Sequence, residues 1–160
     1  MNKQWRLIFL AMILFFCHFA LSHWVAVAGV SPDFLFLILL VFLTGRSRKT
    51  MIFLGLLLGF IQDVSVGGWI GCLMLSKTAA GFLMKTLYNK DQPPSFFIYS
   101  LVLVFSMTVH EMIRLACLNE SFHDWAFGML RYGMPIVLYT AVTGSLMYFL
   151  LYSRYFREFD

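Results

Sequence analysis

Apolar residues fall in long runs separated by short polar or glycine-rich breaks. A bilayer core about 30 Å thick needs roughly 20 apolar residues per crossing helix, which sets the scale for reading those runs. The first is Leu7 to Leu21, preceded by Lys3 and Arg6. It resembles a secretory leader, with Ala20-Leu21-Ser22 as a small-x-small site, but the many later runs favour an uncleaved first helix. The second, Val25 to Thr44, is interrupted by Ser31-Pro32-Asp33. Proline has no N–H and turns Ser31 away from helical backbone, so a helix is predicted from Pro32 or Asp33 to Thr44. After the basic turn Gly45-Arg46-Ser47-Arg48-Lys49, a third run goes from Met51 to Gln62 and is closed by Asp63 and Ser65-Val66-Gly67-Gly68. The fourth is Trp69 to Tyr88, the fifth Phe96 to Leu118 and the sixth Arg131 to Tyr152, with an amphipathic bridge at Phe122 to Phe127. The second and third helices are short, about 12 residues and ~18 Å each. Neither crosses a bilayer alone, so the breaks at Pro32 and Asp63 are expected inside the bundle, where protein satisfies their backbone.

Composition sharpens this picture. Of 160 residues, 61% are apolar and 12% charged, with net charge +4 and mean hydropathy +0.80. A soluble domain carries roughly 25% charged residues, so this chain lacks the polar groups to cover itself in water. Cys17, Cys72 and Cys117 are far apart and odd in number, which excludes a disulfide scaffold. The fold class expected is an all-α integral membrane protein, a six-helix transmembrane bundle in which residues 1–160 form one polytopic domain. Lys3, Arg6, Arg46, Arg48, Lys49, Lys85, Lys90, Arg154 and Arg157 collect on the side of both termini, which places those termini in the cytoplasm. The basic residues form no continuous helical face, so no nucleic acid is expected as a partner.

Ionisable residues at membrane depth are costly and default to functional candidates. Counted from the inner helix ends, Asp33 stands ~16 Å deep, Asp63 ~19 Å, His110 ~21 Å, Glu111 ~22 Å and Lys77 ~12 Å. These five are candidates for a buried polar cluster or an outward-facing cavity, with Lys77 as counter-charge. Asp33 follows a proline at a helix start and also reads as a simple cap. Asp63 ends its own helix, where an acid opposes the dipole, so a cap there does not explain it. Gly55 and Gly59 form a GxxxG and share one face with Asp63, which predicts close packing within the bundle or against another subunit. Gly67, Gly68 and Gly71 permit a tight re-entry into the fourth helix, on which Lys77, Ala80, Gly81 and Met84 form a second packed seam. His110-Glu111-Met112-Ile113-Arg114 is not a zinc motif, because Arg114 stands at the second ligand position. Glu111 and Arg114 are an ordinary i,i+3 pair. With no nucleophile set, phosphate loop or CxxC, neither catalysis nor a cofactor or metal is expected.

The stretch from Ser31 to Tyr88 carries a resemblance. Ser31-Pro32-Asp33 opens a Leu-rich helix, a basic turn follows, and Gly55, Gly59-Phe60-Ile61-Gln62-Asp63 and Gly67-Gly68-Trp69-Ile70-Gly71 lead into an apolar helix ending at Leu87-Tyr88. Met134-Pro135-Ile136-Val137-Leu138-Tyr139 adds a weaker echo. Together these resemble the bacterial rod shape-determining protein MreD family. Thr140 stands where that family usually has Asn, Ser145 where a Pro is common, and Lys77 where a small or apolar residue is usual.

The resemblance implies a non-enzymatic inner-membrane scaffold of the cell-elongation machinery, regulating cell shape and side-wall peptidoglycan synthesis. It implies direct binding to an MreC-like bitopic protein and, through it, association with MreB, RodA and a penicillin-binding synthase, all in contact with membrane lipid. It also implies a fold similar to the substrate-binding subunits of energy-coupling-factor transporters. A rival class is a substrate-binding membrane subunit of a vitamin or small-solute transporter, with the polar cluster lining its ligand pocket.

Overall fold

A computed structural model describes residues 3–21, 24–27, 29–67, 70–90, 94–118 and 121–152. Ser22, Gly68, Trp69 and the tail cations Arg154 and Arg157 lie outside the described residues. Each apolar run contains a helix: α1 Lys3–Leu21, α2 Phe34–Val41, α3 Arg48–Val66, α4 Cys72–Leu87, α5 Phe96–Leu118, and then α6 Phe122–Gly128 and α7 Met134–Tyr152. Among the described residues there is no strand. Val27 and Val30 exchange a pair of backbone hydrogen bonds around Gly29, whose φ of +80° suits a residue without Cβ.

The two segments expected to be short part company. The second is short: α2 has 8 residues, begins at the cap Asp33 and ends before Gly45, where φ is +71°. Seven of its side chains, Leu35 to Val41, are buried. A helix apolar all round belongs in a core, and α2 sits against α1, α3, α4 and α7. The third segment is not short. α3 has 19 residues, from the Ser47 cap to left-handed Gly67, and does not stop at Gln62. Asp63 lies within it because the carboxylate has partners across the bundle, so it does not break the helix. α3 and α5 are each long and apolar enough to cross a membrane. The bridge at 122–127 is itself helical and joins α7 through a π turn over Met129–Gly133. Such a turn accommodates Pro135, whose ring would otherwise clash with the Arg131 carbonyl.

α3 and α4 form a hairpin, α4 packs on α5, and α5 on α7. The core joins α2 to Met51 and Leu58 of α3, Ala80 and Met84 of α4, Tyr99, Leu103 and Met107 of α5, and Val137 and Met147 of α7. Outward faces are strongly apolar: Phe53 and Phe60 on α3, Phe97, Leu101 and Phe105 on α5, Leu138, Val142 and Leu146 on α7. Inward positions include Asp33, Asp63, Lys77, His110 and Glu111. Large apolar groups outside with charges inside reverse the order of a water-soluble protein and match a hydrocarbon solvent.

Candidate functional site

The site begins at the Pro32 break, which is buried. Ending irregular backbone with a helix start leaves N–H groups without helical acceptors, and Asp33 answers one of them. Its Oδ1 accepts from Phe36 N–H at 2.9 Å. Its Oδ2 takes the Lys77 ammonium of α4 in a direct ion pair. Its own N–H donates to Thr140 Oγ1 of α7 at 3.1 Å. One residue thus pins the start of α2 to two other helices, acting as both cap and counter-ion.

The network continues on α5. His110 Nε2 stands 3.6 Å from Asp33 Oδ2 and 3.7 Å from Glu111 Oε1, and the ring packs on Phe36 with centroids 5.5 Å apart. Neither ring nitrogen has a hydrogen-bond partner among the described residues. Glu111 is held by Arg114, whose Nε and Nη2 donate to Oε2 at 2.9 and 2.6 Å. Lys77 is fully buried, with its ammonium 5.6 Å from the Phe36 ring centre. Asp33 and Glu111 each face one cation, Lys77 and Arg114, the balance that a low-dielectric interior demands.

Asp63 is not part of that network. Its Oδ2 accepts from Gly71 N–H at 2.9 Å and Met74 N–H at 3.0 Å, and its Oδ1 from Leu73 N–H at 3.0 Å. These are orphan donors at the start of α4, whose own cap residue, Gly71, has no side chain to offer. The acid that opposes the dipole of its own helix end complements that of the next helix. The expectation that capping does not explain Asp63 is therefore corrected: it caps, but across the hairpin.

Asp33, Asp63, His110 and Glu111 nonetheless share the wall of one cavity of about 190 Å³, together with His18 and Gln62. Lys77 lies behind Asp33 and does not line it.

The glycines divide into two kinds. A methyl group on Gly55 would overlap the Lys77 carbonyl, and one on Gly59 would stand 2.5 Å from the Leu73 carbonyl oxygen. Gly81 of α4 returns the contact, 2.5 Å from the Met51 carbonyl oxygen. The GxxxG face is thus packed against α4 of the same chain, which brings Lys77 within reach of α2. Gly67 (φ +69°) and Gly71 (φ +109°) approach no other helix closely, and their left-handed backbone serves the turn.

Three contributors went unread in the sequence: Thr140, Lys85 and the use of Asp63 by α4. Lys85, one of the cations on the side of both termini, is buried at the end of α4 and donates to the Leu43 carbonyl at 3.4 Å. A polar residue inside the apolar α7 was the available signal for Thr140.

No curated protein and no solved structure matches the chain, so the expected likeness to energy-coupling-factor subunits gains no support. The family model described as rod shape-determining protein MreD matches residues 2–157. A match over nearly the whole chain, on an all-helical protein with apolar outer faces and charges turned inward, shows that it belongs to the MreD family of rod shape-determining membrane proteins.

Proposed function

We propose that the protein is a non-enzymatic scaffold of the cell-elongation machinery, a six-span inner-membrane bundle with both termini in the cytoplasm. It docks the transmembrane helix of an MreC-like bitopic partner. Through that partner it associates with MreB, RodA and a penicillin-binding synthase and biases side-wall peptidoglycan synthesis. The observation that carries this reading is the use made of the buried charges. Asp33 pairs with Lys77 and joins α2 to α4, its amide donates to Thr140 of α7, Asp63 caps α4 from α3, and Glu111 and Arg114 pair within α5. Their work is architectural, and the outer faces offered to a partner are apolar helix surfaces, as a membrane docking protein requires.

The solute-transporter reading has less support. A cavity of about 190 Å³ is smaller than the ~300 Å³ at which drug-sized ligand pockets begin. The deciding experiment combines affinity purification of the full chain from detergent-solubilised membranes with depletion in a rod-shaped host. An MreC-like protein should co-purify, and depleted cells should round up. Unchanged rods together with an empty pull-down would overturn the proposal.

A further inference from the structure

Arg131 is an exposed cation that meets no carboxylate among the described residues and lines an apolar groove. Arg114 is engaged by Glu111, whereas Arg131 stands on the π turn before α7. Its guanidinium instead lies over two rings, 5.7 Å from the centre of Phe127 and 5.5 Å from that of Tyr132. Ring stacking of this kind holds the planar fork in place while leaving its N–H donors free for a planar or tetrahedral anion.

Arg131 stands at the head of a groove of about 850 Å³ that runs down α7. Val30 and Tyr139 lie in its better-buried part, and Val27, Leu138 and Val142 form exposed apolar walls. The Tyr139 hydroxyl donates to the Val25 carbonyl at 2.9 Å and ties α7 to the segment carrying Val27 and Val30. From Arg131 to Val142 the helix rises ~16 Å. Half the hydrocarbon thickness of a bilayer is about 15 Å. The groove therefore has a cationic head at one end and an apolar channel one leaflet long.

We propose that this groove binds one anionic phospholipid, its phosphate on Arg131 and an acyl chain along Leu138 and Val142. Charge complementarity selects the head group, and the length of the channel selects a lipid over a soluble phosphate. The site needs only a membrane-embedded bundle, so its loss leaves capture of a protein partner as a separate question.

The test is native mass spectrometry of the detergent-purified full chain with added phosphatidylglycerol or phosphatidylcholine. The wild type should retain phosphatidylglycerol in preference. Arg131→Gln should weaken that retention about fivefold, the worth of one interfacial cation near an anionic lipid. Arg131→Lys, which keeps the charge without the stacked fork, should restore part of it, which a merely misfolded variant would not do. Leu138→Trp, which fills the channel and leaves the cation intact, should also lose the lipid. Equal retention of the two lipids, undiminished binding by Arg131→Gln, failure of Lys to restore any of it, or displacement by inorganic phosphate would each overturn the proposal.

Discussion

Replacing Lys77 with Met tests the charge network most directly. The side chain is fully buried, so the substitution exposes nothing new to solvent and roughly preserves volume. It leaves the Asp33 carboxylate with the Phe36 amide and a distant His110, 3.6 Å away, in place of an ammonium. Removing one partner of a buried pair costs about 3–5 kcal/mol, because the other charge stays desolvated. Folded domains hold only about 5–15 kcal/mol in total, so the variant should be severely weakened. Asn at position 33 caps a helix as well as Asp does, so Asp33→Asn keeps the Phe36 contact while removing the charge. The double variant Asp33→Asn/Lys77→Met should therefore be more stable than Lys77→Met by at least about 2 kcal/mol. The assay is denaturation in mixed detergent micelles, followed by tryptophan fluorescence, on all four proteins of the cycle. A Lys77→Met protein as stable as wild type, or a double variant no better than that single one, would refute the compensation argument.

Other perturbations address separate links. Asp63→Asn keeps one acceptor but turns an NH₂ toward a backbone donor, so it should destabilise about as much as Asp63→Ala, by roughly 2 kcal/mol. Hydrogen exchange at the amides of 71–74 should accelerate in both, and a neutral Asn variant would refute the three-bond cap. Gly55→Ala should cost about 1–3 kcal/mol by forcing α3 off the Lys77 carbonyl. Leu57→Ala, at an exposed position of the same helix, should be better tolerated, and equal melting of the two in detergent would count against the seam. Thr140→Ala leaves the Asp33 N–H without its acceptor and should cost about 1–2 kcal/mol, whereas Thr140→Ser should stay near wild type by the same thermal assay.

What could be read from the linear pattern was local. The Pro32 break, the cap at Asp33 and the Glu111–Arg114 pair each involve residues within a few positions, where helix geometry alone fixes who meets whom. The end of α3 was misplaced because a single acid was read against its own helix. Its acceptors serve amides eight to eleven residues later, across a turn whose direction the pattern does not encode. The burial of Lys85 was not legible for a related reason: a cation near a helix end looks the same whether it faces a loop or a buried carbonyl.

The sequence by itself determined that the chain is helical and lives in lipid, since runs of apolar residues and a shortage of charge leave no other way to satisfy the backbone. It also determined which helix faces can approach closely, because only Gly55, Gly59 and Gly81 lack the atoms that would hold α3 and α4 apart. Tertiary structure alone decided how the charges are matched. Asp33 meets Lys77 across 44 positions and Thr140 across 107, and no periodicity carries that information. In hydrocarbon a buried charge must find its opposite within a few ångströms, and which residue supplies it depends on how the helices are stacked.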